Sequence, residues 1–218
     1  MSCSAGHPKL ELKHMNQRII GITGGIATGK TTVSDYLHQT YGLPILDADL
    51  YARQALTGDR LLKLCDRYGK LIFDDQDNLD RRKLGAIVFE SKIERQWLEA
   101  LIHPYVQACL ISEAQQLAPS TVVMVIPLLF EAKMQDLVTE TWAIVCDREQ
   151  QLQRLINRNH LLESEALQRI SSQMSQSEKI ELADVVIVNS DNTEELFFQV
   201  DRALLNSPLG INWTLDKI

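Results

Sequence analysis

Gly24, four intervening residues, then Gly29, Lys30 and Thr31 have the spacing of a phosphate-binding loop, and a small apolar strand runs into it from Ile19. Polyphosphate needs several backbone N–H donors converging on it, so the bend must carry small side chains, and Gly24, Gly25, Ala27 and Gly29 supply them. A helix starting near Lys30 aims its free N–H groups and the positive end of its dipole at the same anion. Lys30 adds a mobile positive charge for the β- and γ-phosphates, and the Thr31 hydroxyl is placed to help hold Mg²⁺, which prefers oxygen ligands. The residues expected around a bound nucleotide are Gly25, Ile26, Ala27, Thr28, Gly29, Lys30, Thr31 and Thr32. An ordinary glycine turn is the alternative, but strand, loop, Lys-Thr pair and helix all fall in register.

Carboxylates and arginines recur further on. Pro44-Ile45-Leu46-Asp47 is a short apolar run ending in acid, and Asp49 and Arg53 follow at the start of a helix. Ligands of parallel α/β sheets gather outside the carboxyl ends of the strands, so Asp47 and Asp49 are expected on the rim that carries the loop. There one carboxylate can accept a proton from an attacking hydroxyl while the other positions metal-bound water; capping of the helix is the competing role. Arg53 either binds a substrate phosphate or pairs with a surface carboxylate. Glu131, after Pro127-Leu128-Leu129-Phe130, either orders metal-bound water or acceptor, or is a first-turn acid favoured by a helix dipole. Arg154 and Arg158 stand one turn apart, with a break over 157–162 and a second helix over 164–182. That is the outline of a closing lid whose arginines neutralise a phosphoryl group in flight; a solvated helical hairpin is the alternative. Asn189, at a strand end, suits a base contact or a turn, and His103, before Pro104, a ligand contact or the cap of a restarted helix.

These groups need a scaffold, and 218 residues with 45% hydrophobic content suffice to bury a sizeable core. Strands are expected at 19–24, 44–47, 121–126, 141–146 and 183–188, with helices after the first, second, fourth and fifth and Pro127–Glu131 on the rim after the third. Between the second and third strands, 57–118 reads as helical: Ser91 with Glu94 forms a capping box, and Pro104 kinks or restarts the helix that follows. About sixty residues exceed what one crossover needs, so this stretch is expected to be an insertion that binds the acceptor. The net charge of −7 argues against a nucleic-acid or anionic-membrane partner. Cys3, Cys65, Cys109 and Cys146 are scattered, which points to reduced cytosolic thiols and to neither a zinc site nor a disulfide framework. Asp66-Arg67-Tyr68-Gly69 has the outline of a GTPase switch, but it closes a helix and no guanine signature accompanies it.

Taken in order, Thr23–Thr32, Asp47-Ala-Asp-Leu-Tyr-Ala-Arg53, Arg81-Arg82-Lys-Leu84, Leu101-Ile-His-Pro104, Pro127–Glu131 and Ala183–Asn189 resemble the dephospho-CoA kinase family over roughly 18–205. The resemblance implies an α/β enzyme on a P-loop NTPase-type, parallel five-stranded sheet flanked by helices. The expected division is a nucleotide-binding core of 18–56, 119–147 and 183–206, a helical CoA-binding insertion of 57–118, and a lid with its flanking helices at 148–182. A flexible extension of 1–17, without the apolar core of a signal peptide, and a tail of 207–218 complete it. The implied reaction moves the γ-phosphoryl of ATP, with Mg²⁺, to the ribose 3'-hydroxyl of dephospho-CoA, giving CoA and ADP in the last step of CoA biosynthesis. By resemblance Asp49 is the base, Asp47 its neighbour near the metal shell and acceptor, and Arg53, Arg82, His103 and Pro127 to Leu129 contact the acceptor. Lys30 and Arg158 act in the transfer, and Arg154 and Asn189 serve ATP. The expected setting is cytoplasmic, as a monomer or weak homo-oligomer. One departure is Ala27, where the family usually has glycine; it suits phosphate binding provided its φ is negative, at some expected cost in ATP affinity. Another P-loop kinase of small metabolites and a nucleotide-gated interaction protein are the rival readings.

Overall fold

The five apolar runs are strands, and every pairing among them is parallel. In the computed structural model, which describes residues 17–117, 120–190 and 192–206, β1 (Arg18–Gly24), β2 (Ile45–Asp47), β3 (Thr121–Val125), β4 (Glu140–Val145) and β5 (Val185–Val188) form one sheet in the order β2-β3-β1-β4-β5. The readings made of the N-terminal extension, Cys3 and the C-terminal tail lie outside the described residues, Gln17 excepted. Strands β1, β3 and β4 are buried along their whole length, which is why they read as continuous apolar runs and not as alternation. Strand β5 lies at an edge and leaves Val186 and Val188 exposed.

Register fixes what meets at the carboxyl edge. Ile22 of β1 pairs with Val125 of β3, and Val125 with Asp47 of β2. Asp47 therefore lies two strands, about 10 Å, from β1 and level with Ile22, two residues before Gly24, where that strand gives way to the loop.

Helices cover the sheet. α1 (Lys30–Tyr41) buries Val33 and Leu37 and stops at Gly42, which takes φ 65° and donates its N–H to the His38 carbonyl. α9 (Thr193–Leu205) packs Leu196, Val200 and Leu204 into the same core, and the Asn192 side chain caps it by accepting from the Glu195 N–H. α6 (Arg148–Asn159) ends on His160 at φ 52°. The helix expected over 164–182 is two helices, α7 (Glu163–Ser171) and α8 (Gln176–Leu182). Ser175 and Glu178 form a reciprocal capping box that starts the second of them.

At the opposite edge of the sheet, the first residue of β1 is a fully buried arginine. Arg18 donates from Nε to Glu140 Oε1 at 2.6 Å, from Nη1 to the Leu204 carbonyl at 2.6 Å and from Nη2 to the Ala203 carbonyl at 3.2 Å. It thus ties β1 to β4 and to the last turn of α9, where a cation also answers the helix dipole. Burial pushes the Glu140 carboxyl up from its ordinary value against the opposing pull of Arg18.

Residues Ala48–Ser112 form a second compact unit. It holds α2 (Ala48–Ala55), α3 (Gly58–Tyr68), α4 (Arg81–Glu90) and most of α5 (Lys92–Gln116). Leu64, Tyr68, Ile72 and Leu84 are its core. Only half of the expected capping box exists at the start of α5: Ser91 Oγ accepts from the Glu94 N–H. The Glu94 carboxylate turns instead to Arg67 at 2.6 and 2.8 Å and to the Tyr68 hydroxyl at 2.6 Å, fastening α3 to α5. Pro104 neither ends nor restarts α5, which is continuous. Proline removes one donor to the carbonyl four residues back, and here Pro104 and Ala100 are both exposed, the setting in which that loss costs least.

Candidate nucleotide-binding site

Between β1 and α1 the chain bends tightly, and its neighbours dictate the small residues there. A Cβ on Gly24 would collide with the Ile144 carbonyl of β4, and one on Gly29, which sits at φ 101°, would collide with the Asn189 amide. Thr28 is fully buried, its hydroxyl donating to the Gly25 carbonyl at 3.0 Å. Lys30 Nζ donates to the carbonyls of Gly24 and Gly25 at 2.9 and 2.8 Å, so its charge lies across the mouth of the loop. The N–H groups of the first turn of α1, which includes Thr31 and Thr32, have no intrahelical acceptors and make an anion-binding end. Ala27 breaks the condition set for it: its φ is +61°, in the left-handed region. An L-residue there costs about 1–2 kcal/mol relative to its ordinary backbone conformation.

Other expected residues of the sheet unit gather at the same edge. Asn189, directly after β5, donates from Nδ2 to the Thr28 carbonyl at 2.8 Å, so in this structure it braces the loop. Pro127 follows β3, and its carbonyl accepts from the Thr23 hydroxyl of β1 and from Lys179 Nζ. Leu128 is half-buried beside it, whereas Leu129 is fully buried in the core. Arg154 on α6 is half-buried; its Nη2 donates to Gln150 at 3.1 Å, and its Nη1 is buried without a hydrogen-bond partner among the described residues. The charges of Arg154 and Lys30 both pull on the Cys146 thiol at the end of β4, but burial dominates and pushes that thiol up, which disfavours the thiolate. Arg158, a turn further on, is exposed and donates to Asn159 Oδ1. Asp147 occupies the N-cap position of α6 without a side-chain capping bond.

The remaining expected residues belong to the helical unit. Asp49 is an exposed acid in the first turn of α2, and Arg53 is exposed near the end of that helix. Arg82 is almost wholly exposed, 3.8 Å from Asp80, whose carboxylate caps α4 by accepting from the Arg82 and Lys83 N–H groups. His103 lies inside α5, so the capping role is ruled out; burial holds its imidazole below the ordinary range against the opposing pull of Glu99.

Several polar residues packed around the loop have no signal in the local pattern. Lys179 of α8 is fully buried and pairs with both oxygens of Glu131 at 2.8 Å, while Glu131 Oε1 accepts from the Met174 N–H. Residues 127–133 are turns and not a helix, so the reading of Glu131 as a first-turn acid gives way to this pairing. Gln151 and Gln173 bond the backbone of Ile26, from α6 and from the segment between α7 and α8. A cleft of about 490 Å³ opens beside Gly25, lined by Arg148, Gln151 and residues 170–171 and 173–178. Among the described residues there is no cluster of three or more His, Cys, Asp or Glu that could hold a metal by itself, and no helix long and apolar enough to cross a membrane.

Comparison with known proteins bears on this geometry. A family model described as dephospho-CoA kinase matches residues 18–195. A dephospho-CoA kinase of Synechocystis sp. is 52% identical over 197 residues, 89% of this chain and 98% of that protein. A crystal structure of a Thermus thermophilus protein superposes with a TM-score of 0.78 at 32% identity, over 87% of this chain and 96% of the other. That of a dephospho-CoA kinase from Campylobacter jejuni gives 0.61 at 26% identity, over 85% and 94%.

Proposed function

The chain belongs to the dephospho-CoA kinase family, and from that premise we propose how its residues divide the work. The reaction is transfer of the γ-phosphoryl of ATP to the ribose 3'-hydroxyl of dephospho-CoA, giving CoA and ADP, the last step of CoA biosynthesis. Phosphoryl transfer asks chiefly for alignment and charge compensation. The backbone of Gly25 to Thr32 cradles the phosphates, and Lys30 leaves its two carbonyl acceptors to follow the β- and γ-oxygens. Arg154 carries a buried guanidinium nitrogen without an acceptor, a cost that a nucleotide oxygen or ring nitrogen would remove. Arg158, exposed near the end of α6, closes over the transferring group. Asp49 orients the acceptor hydroxyl and takes its proton, while Arg53, Arg82, His103, Pro127, Leu128 and Leu129 form the acceptor side. In this division the sheet unit serves the nucleotide, residues 57–118 the acceptor and 148–182 the lid.

The donor set fits Mg²⁺. The Thr31 hydroxyl is exposed on the first turn of α1 and Asp47 ends β2; one hydroxyl, one carboxylate and phosphate oxygens are the mixed oxygen set that this ion takes with few protein ligands. When bound, Mg²⁺ supplies neutralisation of charge on the β- and γ-oxygens. The setting we propose is the cytoplasm, with the protein a monomer or weak homo-oligomer.

The family match over 18–195 is the observation that carries the reaction, and the geometry of the loop supports the roles. The test is ADP release from ATP and Mg²⁺ with and without dephospho-CoA, with adenosine and shikimate as comparison acceptors. Release that depends on dephospho-CoA, with CoA as product, is expected; release with another acceptor instead overturns the choice of substrate.

A further inference from the structure

Two glutamine side chains meet on a single residue of the phosphate loop. Gln151 Nε2 donates to the Ile26 carbonyl at 2.8 Å, and the Ile26 N–H donates to Gln173 Oε1 at 2.8 Å. The orientation of Gln151 is not arbitrary. Gln176 spans the backbone of Cys146, accepting from its N–H at 2.8 Å and donating to its carbonyl at 2.9 Å. That arrangement fixes which end of the Gln176 amide is nitrogen, because a backbone N–H only donates and a backbone carbonyl only accepts. The same Nε2 donates to Gln151 Oε1 at 3.2 Å, which leaves the Gln151 nitrogen facing Ile26. A chain of amides thus runs from the end of β4 to one loop carbonyl, and Gln151 within it is only 2% exposed. Gly25 leaves the passage open: a Cβ there would lie 2.7 Å from Gln151 Nε2.

The Ile26 carbonyl belongs to the peptide that enters Ala27, and Ala27 is the non-glycine residue of the loop with positive φ. Rotation about that φ swings the very peptide plane whose oxygen Gln151 holds. Glycine takes up this conformation without help; alanine needs its neighbouring peptide held. We propose that Gln151 is a positioning residue of the phosphate loop: by fixing the Ile26 carbonyl it keeps Ala27 in the left-handed conformation from which the loop binds phosphate. The proposal rests on the reading of the loop as the ATP cradle. It makes the glutamine and the alanine a matched pair, so the worth of one depends on the identity of the other.

The test is a cycle of four proteins: wild type, Gln151→Leu, Ala27→Gly and the double variant. ATP binding in the presence of Mg²⁺ is followed by calorimetric titration, and KM for ATP and kcat by dephospho-CoA-dependent ADP release. With Ala27 present, Gln151→Leu is expected to raise Kd and KM for ATP about 5- to 30-fold, the left-handed cost expressed as affinity, with a smaller change in kcat. In the Ala27→Gly background the same substitution is expected to raise them less than about twofold. An equal factor in both backgrounds overturns the proposal, because Gln151 would then be packing material; so does a fall in kcat with KM unmoved. Should Gln151→Leu not fold, Gln151→Glu, which keeps the shape and puts an acceptor against the carbonyl, takes its place in the cycle. Wild-type protein that binds no ATP would overturn the cradle itself, and the first titration reveals it separately.

Discussion

Replacing Glu140 by Gln tests whether the buried pair at the lower edge of the sheet holds the fold. The substitution keeps the shape and an oxygen that can still accept from Arg18 Nε, and removes only the charge. Both side chains are essentially inaccessible, and Glu140 Oε2 has no hydrogen-bond partner among the described residues, so solvent does little to screen the pair. Removing one partner of such a pair costs about 3–5 kcal/mol, because the other charge stays buried. Arg18 retains two backbone carbonyls, which places the expected loss near the lower end, about 3 kcal/mol. For a chain of this size that is a fall in melting temperature of roughly 6–12 °C. Urea denaturation at neutral pH measures the free energy and a thermal scan the shift. The companion variant, Arg18→Met with Glu140→Leu, is expected to be no less stable than Glu140→Gln, since an apolar pair leaves no orphaned charge. A single variant within about 1 kcal/mol of wild type, or a double variant much less stable than the single, would refute the reasoning. KM for ATP is expected to be unchanged in both, because Arg18 and the phosphate loop lie at opposite ends of β1, about 20 Å apart.

Lys30→Ala and Asp49→Asn are each expected to cut turnover about 10²-fold or more while circular dichroism shows an intact fold; a folded Asp49→Asn enzyme with near wild-type turnover would remove the base from the mechanism. Arg158→Ala should lower kcat more than it raises KM for ATP, and the reverse pattern would make this arginine a clamp on the ground state. Hydrogen bonds from Arg67 and Tyr68 hold the Glu94 carboxyl down to about 2, well below its usual 4.5. A depressed carboxyl adds stability that is complete above its unfolded value and lost as pH falls through the folded one. The stability difference between wild type and Glu94→Gln should therefore shrink between about pH 4.5 and 2, and a difference that stays flat across that window would break the link.

The strands were legible because β1, β3 and β4 are buried throughout and β2 and β5, though only partly buried, are also written in consecutive apolar residues, and the phosphate loop because its constraints are local. The capping box of Ser175 and Glu178 is equally local, and it splits the helix expected over 164–182 at the right place. Pro104 misleads because a lost hydrogen bond is cheap where the residues involved are exposed, and the rest of α5 carries the helix through. Ala27 suits the loop by size, whereas its left-handed φ is a property of the loop's path and not of the residue. Gln151, Gln173 and the Glu131–Lys179 pair leave no trace, since their partners lie 125, 147 and 48 residues away and no period along the chain encodes a side chain answering so distant a group.

The strand order also sets a schedule for synthesis. Arg18 pairs with Thr121 and Ile20 with Glu140, so the strand leading into the phosphate loop is made long before either of its partners exists. At roughly 5–20 residues per second, the nascent chain carries the complete loop motif for about 5 to 25 s without the sheet that shapes it. Residues Ala48–Ser112 are contiguous and can complete their own core in that interval. A ribosome stalled before β4 thus holds every glycine of the motif but neither the strand whose Ile144 carbonyl lies against Gly24 nor Gln151, Gln173 and Asn189, which bond the loop from later in the chain.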